Sequence, residues 1–259
     1  MKKAEIAQAA ALLAEAWRSG TTLAALPESC RPKTAAEAYA VQDATARALG
    51  EAIAGWKVGA TGAMARKLLK ARGPFAGRVF ASRVLRSGAE IPSDTYPMRG
   101  LEGEIAFRLG QDLKPRAKPY SAREVARAIA TVHPAVEIVS SRWQDWLAAG
   151  LPSITADHGA NGALVIGRAF TGGADLDLTA LAVEMRVDGV VVGKGTGADV
   201  IGGPLGSLLW LANLLRRREG LKAGDYVSTG TCTGLVKVAA KSRVEAAYGG
   251  KVRVSFAFT

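Results

Sequence analysis

The period of the apolar positions changes near residue 55. Before it, alanine and leucine recur at helical spacing, which predicts one helix across Ala4 to Ser19, ending at Gly20, and a second beginning at Thr34. Thr34 and Glu37 form a capping box, in which the hydroxyl accepts from an amide of the first turn and the carboxylate reaches back. Gly50 closes this second helix at the position where a left-handed cap is least strained for glycine. A small helical layer is therefore expected at the N-terminus.

From Gly55 onward the texture is one of short β-like runs punctuated by glycine and proline: Trp56 to Gly59, Arg78 to Phe80, Gly103 to Leu109, Ala135 to Val139 and Ala163 to Ile166. Strands this short predict a mixed or antiparallel sheet. A second capping box, Ser121 with Glu124, heads a helix expected to run to about Val132. Another helix, Pro204 to Arg218, sets Leu208, Leu211, Ala212 and Leu215 on one side and ends in three arginines, favourable at the negative end of a helix. Val183 to Val192 carries the clearest hairpin signal, with Asp188-Gly189 between two valine-containing runs.

That hairpin feeds Gly193-Lys194-Gly195-Thr196-Gly197, which invites a phosphate-loop reading and fails it. A Walker loop needs four residues before its Gly-Lys-Ser/Thr, and here Lys194 is followed by glycine. A dinucleotide site would need the glycines to follow a lone strand opening a βαβ unit, not a hairpin.

Composition narrows the classes. The 259 residues are 49% hydrophobic and 22% charged, enough apolar mass for a full core and no candidate for a disordered or coiled-coil chain. The balance of 34 basic against 23 acidic residues gives a net charge of +11, which points to an anionic partner without naming it. A nucleic-acid-binding protein would be the non-enzyme reading. Its basic residues, however, are dispersed among Arg66 to Arg72, Lys114 to Lys118 and Arg216 to Arg218, and only 6% of the chain is aromatic. Apolar stretches such as Leu208 to Leu211 fall short of the roughly 18 residues of a membrane span, and the N-terminus lacks a signal-peptide core, so a soluble, cytoplasmic protein is expected. Cys30 and Cys232 give neither a disulfide framework nor a zinc spacing.

The chemistry is concentrated in three acids. Glu102 and Glu104 lie two apart in a predicted strand and so project from one face, where like charges repel unless a cation separates them. Glu137 sits between Val136 and Ile138 in another predicted strand. If the two strands are neighbours, three carboxylates converge on an all-oxygen site suited to Mg²⁺ or Mn²⁺; otherwise they are ordinary acids on half-exposed strands. Lys57, in the apolar run Gly55 to Gly59, is either a buried ammonium meeting a carboxylate or an outward-facing strand lysine. Asp157 opens a polar turn through Asn161 that either orients water or a substrate oxygen or bonds its own backbone. Ser228 to Gly234 is dense in hydroxyls and amides that could cradle a carboxylate.

Gly55-Trp56-Lys57-Val58-Gly59, Glu102-Gly103-Glu104-Ile105-Ala106-Phe107, Pro134 to Val139 with Ser141-Arg142, Asp157 to Gly167, and Gly202-Gly203-Pro204 through Asn213 to Gly224-Asp225 occur in this order over about residues 35 to 235. In this the chain resembles the fumarylacetoacetate hydrolase superfamily, in its 2-keto-4-pentenoate hydratase and 4-oxalocrotonate decarboxylase branch. The resemblance implies an α+β fold, with a mixed β-sheet roll as catalytic domain and a helical N-terminal part, divided as 1–75 and 76–259. It implies a divalent metal on Glu102, Glu104 and Glu137 that chelates a small 2-oxo acid. Lys57 and Asp157 become the candidate catalytic residues, and Gly230, Thr231 and Asn161 the substrate contacts.

The expected activity is a hydratase adding water to a 2-hydroxydienoate in aromatic catabolism, working as a homo-oligomer. The alternatives are a decarboxylase of 2-oxo-enedioates and, further off, a C–C bond hydrolase. Gly73 to Ser82 lacks the acidic residue that the hydratases carry there, no histidine precedes His133 as the hydrolases require, and Ala160-Asn161 stands near a serine of the hydratase pattern.

Overall fold

A computed structural model describes residues 1–172 and 176–259. Helices α1 (Lys3–Ser19) and α2 (Ala35–Leu49) form where helical spacing and the Thr34 capping box predict them, and both end on left-handed glycines, Gly20 at φ 66° and Gly50 at φ 68°. They bury Leu13, Ala38 and Val41 in an apolar layer shared with Phe75, Val139, Trp143 and Ile154.

The rest of the chain is built on two sheets. In the larger, β2 (Phe75–Phe80), β1 (Ile53–Gly59), β10 (Tyr226–Thr231), β5 (Gly100–Leu109), β6 (Ile129–Val139), β7 (Asn161–Ile166) and β3 (Val84–Arg86) lie side by side, and β11 (Val236–Lys237) also pairs with β5. The smaller sheet runs β4 (Ala89–Ile91), β13 (Val252–Phe258), β12 (Arg243–Tyr248), β8 (Ala182–Val187) and β9 (Val190–Thr196). Parallel pairs (β1 with β10, β3 with β7, β4 with β13) are set among antiparallel ones, so the sheets are mixed, as expected of an α+β roll. The helices α1 and α2 precede β1, which is hydrogen-bonded into the larger sheet although it falls within residues 1–75.

Two helix ends differ from expectation. The helix headed by Ser121 is α4 (Ala122–Arg127), and Ile129 to Val132 belong instead to β6, which pairs with β5 from Leu109↔Ile129 to Gly100↔Val139. A ten-residue partner strand offers the β-branched Ile129, Thr131 and Val132 more than another helical turn does. The second is α6 (Gly203–Leu215), preceded by the short helix α5 (Gly150–Ala156) in chain order and by α3 (Ala63–Leu68) before that. It stops three residues early: Arg216 still has helical backbone angles, but its carbonyl accepts from Arg116 N at 2.9 Å, Gly220 N closes back on the Leu215 carbonyl, and the Arg216 guanidinium meets the carbonyls of Arg116 and Ala117.

Gly197–Leu215 spans 19 residues at mean hydropathy 1.3, longer and more apolar than the expectation allowed. Only its last 13 residues are α-helical, roughly 20 Å against the roughly 30 Å of a bilayer core, and Leu208, Leu211 and Leu215 are buried in the protein.

The hairpin is as predicted, β8 and β9 joined by Asp188 at φ 51° and Gly189 at φ 82°. Of the glycines that resemble a phosphate loop, Gly193 and Gly195 lie in β9 and Gly197 just after it, and they permit close packing: a Cβ on Gly195 would stand 1.9 Å from the Cys232 carbonyl oxygen.

Candidate active site

Because β5 and β6 are antiparallel neighbours with Glu102 directly opposite Glu137, the alternation that puts Glu102 and Glu104 on one face also brings Glu137 to it. One carboxylate oxygen from each of the three lies within 4.8 Å of the others. Glu104 and Glu137 are buried, at 1% and 0% exposure, and Glu102 is half-buried. Lys57 arrives from β1, two strands away from β5, with its Nζ 3.3 Å from Glu137 Oε2. In a flat sheet β1 and β6 would stand about 14 Å apart, a gap that side chains rising perpendicular to the sheet would not close. The ion pair therefore reports how far the sheet curls.

The cluster holds three carboxylates against one ammonium, and its electrostatics follow from that. Burial pushes Glu102 up to about 7, aided by the Glu137 charge and opposed by Lys57. Burial raises Glu104 well above the ordinary range, with Glu137 and Glu102 adding to it. Burial also raises Glu137, with Lys57 acting in the other direction. For Lys57, burial works downward, but the charges of Glu137, Glu102 and Glu104 outweigh it and hold the ammonium above its usual value.

Some of these atoms are well partnered. Glu104 Oε2 accepts from Gly230 N at 2.8 Å and from the Ser228 hydroxyl, Glu137 Oε1 accepts from Asn161 Nδ2 at 2.9 Å, and Lys57 donates to the Gly159 carbonyl at 3.0 Å. Others are not. Glu104 Oε1, Glu137 Oε2 and Asn161 Oδ1 are buried without a hydrogen bond. Glu104 Oε1 has no partner at all and Glu137 Oε2 is met only by the Lys57 ammonium at 3.3 Å, so three converging carboxylates share one positive charge; an all-oxygen set of this kind is what Mg²⁺ and Mn²⁺ take, and a cation would satisfy the oxygen left open.

The predicted residues do not all gather here. Gly230 does, through its amide; its φ of 110° and the 1.9 Å that a Cβ would leave to Thr61 Oγ1 exclude any other residue. Thr231 stands opposite Glu104 in the β10–β5 register. Asp157 does not join the cluster. Its Oδ1 accepts from Arg142 Nε at 2.6 Å and Trp17 Nε1 at 3.0 Å, and its Oδ2 from Arg142 N at 2.8 Å. This carboxylate is spent on holding a turn. The turn is unusual: His158, Gly159 and Ala160 have φ of 49°, 69° and 59°, three successive left-handed residues, and it is what presents the Gly159 carbonyl to Lys57.

Ser228 heads the hydroxyl-rich run to Gly234 but is not among the expected site residues; it shares a strand face with Gly230, and that two-residue spacing was the available signal. Neither histidine is at hand. His133 bonds Thr131 and the Gly167 carbonyl, and His158 is boxed by Trp17 and Phe80.

Residues 41–257 match the fumarylacetoacetate (FAA) hydrolase C-terminal family. The chain belongs to the fumarylacetoacetate hydrolase family. It is 34% identical over 258 residues to a 2-keto-4-pentenoate hydratase of Burkholderia vietnamiensis, covering 98% of this chain and 97% of that one. A 2-hydroxyhexa-2,4-dienoate hydratase of Comamonas testosteroni is 34% identical over 256 residues, 95% of each chain. The structure of 4-oxalocrotonate decarboxylase from Pseudomonas putida G7, complexed with magnesium and adipate, superposes with a TM-score of 0.91 at 27% identity over 100% of this chain and 99% of that one. The family match thus covers residues 41–257, and the likeness to the decarboxylase structure extends over helices α1 and α2 as well.

Proposed function

We propose that this protein is a metal-dependent hydratase that adds water to a 2-hydroxydienoate of the 2-oxo-4-pentenoate type in aromatic catabolism. The observation that carries the reading is the convergence of Glu102, Glu104 and Glu137 beside the single ammonium of Lys57, with Glu104 Oε1 buried and unpartnered; full-length similarity to dienoate hydratases supports the substrate class. The three glutamates would hold Mg²⁺ or Mn²⁺, which when bound supplies Lewis acidity for a chelated 2-oxo acid. Lys57, held by Glu137 and the Gly159 carbonyl, keeps its proton at Nζ and can hand it to a substrate carbon or take it back. Gly230 and Thr231 would meet the substrate carboxylate, and the free Oδ1 of Asn161 can accept from the attacking water or a substrate hydroxyl. Asp157 acts through Arg142 as a positioning residue. The enzyme would work in the cytoplasm as a homo-oligomer, offering the half-buried Leu209, Trp210 and Leu214 of α6 to a second copy.

A second reading, decarboxylation of a 2-oxo-enedioate, is favoured by one contact. Where the hydratases are expected to carry an acid after β1, Phe75 lays its ring 5.4 Å from Lys57 Nζ. That leaves Lys57 without an acidic neighbour on that side to help deliver water. The two readings separate on turnover of 2-hydroxypenta-2,4-dienoate and of a 2-oxo-enedioate with Mg²⁺ or Mn²⁺. Hydration that disappears on chelation supports the first reading. Decarboxylation alone supports the second, and turnover of either that persists without metal overturns the shared site.

A further inference from the structure

A cleft of about 300 Å³ between the end of α1 and the segment that precedes β5 lies outside the glutamate cluster. Its lining includes Trp17, Arg83, Asp94, Tyr96, Ser140 and Arg142. Two guanidiniums lie near one indole: the Arg142 Cζ is 3.7 Å from the Trp17 ring centroid and the Arg83 Cζ 5.7 Å from it. Arg83 is also 5.7 Å from the Tyr96 ring and, among the described residues, makes no hydrogen bond or ion pair. Arg142 is 7% exposed and commits Nε to Asp157 and Nη2 to the Asn161 carbonyl, which leaves Nη1 without a hydrogen bond. Burial lowers the Arg142 pKa, Asp157 opposes this, and the nearby Arg83 charge adds to the lowering.

Like charges held this close call for an anion. Asp94 lines the cleft but pairs with neither guanidinium, and Asp157 is already saturated from the far side. The remaining donors are the Tyr96 phenol, 4% exposed and without a partner, and the Ser140 hydroxyl, which accepts at 3.5 Å from Met98 N and keeps its own proton uncommitted. Aromatic walls, one planar fork and two hydroxyls suit a flat, two-oxygen anion better than a tetrahedral one.

We propose that this cleft binds a small organic carboxylate between Arg83 and Arg142, at a site separate from the glutamate cluster. Its occupant would sit behind the turn that serves that cluster, because Arg142 anchors Asp157 and Asn161, and Asn161 holds Glu137.

The test is calorimetric titration of succinate into protein dialysed free of metal, where the uncompensated glutamates repel a carboxylate. Saturable binding is expected in the wild type, weakened by about tenfold or more in Arg83→Ala and retained in Glu104→Gln. Arg83 makes no hydrogen bond, so the Arg83→Ala variant should keep its melting temperature, which is checked alongside. Absence of saturable binding, equal affinity in Arg83→Ala, or loss of binding in Glu104→Gln overturns the proposal.

Discussion

Two buried ionic groups lie within one turn of each other and are built on opposite terms. In the glutamate cluster, three carboxylates share one ammonium, which meets Glu137 Oε2, and Glu104 Oε1 has no partner at all. In the knot beside it, a single carboxylate, Asp157, is met by the guanidinium and amide of Arg142 and by the Trp17 indole. Both are inside the protein, and both have carboxyl pKa values raised first by burial. What separates them is completeness. A fully partnered buried pair is architecture, whereas buried acceptors left open are a standing cost that a ligand relieves.

The sharpest way to break this contrast is to remove acids from each side. Glu102→Gln with Glu104→Gln is expected to lower kcat/KM for the dienoate on the order of ten-thousandfold, measured with saturating Mg²⁺. The same variant should melt higher than the wild type when both are free of metal, because repulsion has been taken out. Asp157→Asn should do the reverse. It leaves Arg142 buried and uncompensated and is expected to cost about 3 to 5 kcal/mol in denaturant unfolding. If that variant kept wild-type stability and lost turnover, Asp157 would have to be moved into the chemistry.

Titration gives a smaller effect with a defined sign. Glu102 stands at about 7 in the folded protein against an ordinary 4.5. Between those values the folded chain keeps a proton that the unfolded chain has released, so the stability it contributes is present below 4.5 and lost as pH rises through 7. The melting temperature of metal-free protein is expected to fall by about 5 °C from pH 5 to pH 8, and saturating Mg²⁺ should abolish the fall. A slope that survives in the double glutamine variant would assign the titration to Glu137 or Asp157 instead, the buried carboxyls that remain raised. Least disruptive is Thr231→Val, expected to raise KM about tenfold with kcat within about twofold, as for a contact made equally to substrate and transition state.

The parts of this molecule that were legible in the sequence are those set by neighbours in the chain. The Thr34 capping box, the Asp188-Gly189 turn and the shared face of Glu102 and Glu104 are all decided within four residues. The end of α4 was not, since Ile129 to Val132 choose a strand only because β5 is there to pair with them. The adjacency of Glu137 to Glu102 also depends on sheet order, which spacing does not carry; the resemblance to a family supplied it. Asp157 illustrates the opposite difficulty. A polar turn before an apolar strand looks the same whether its carboxylate faces a substrate or an arginine fifteen residues earlier, and only the Arg142 hydrogen bonds distinguish them.

The position of β10 has a consequence for how the chain is made. It lies between β1 and β5, although it leaves the ribosome more than a hundred residues after both. Until Tyr226–Thr231 has been synthesised, the strands carrying Lys57 and Glu104 each present an open edge, and Glu104 lacks the Ser228 and Gly230 donors that orient it. A nascent chain halted before residue 226 would hold every acid of the trio on the paired strands β5 and β6, yet lack the strand that sets Lys57 at working distance from them. Its exposed edges would make it a substrate for chaperones.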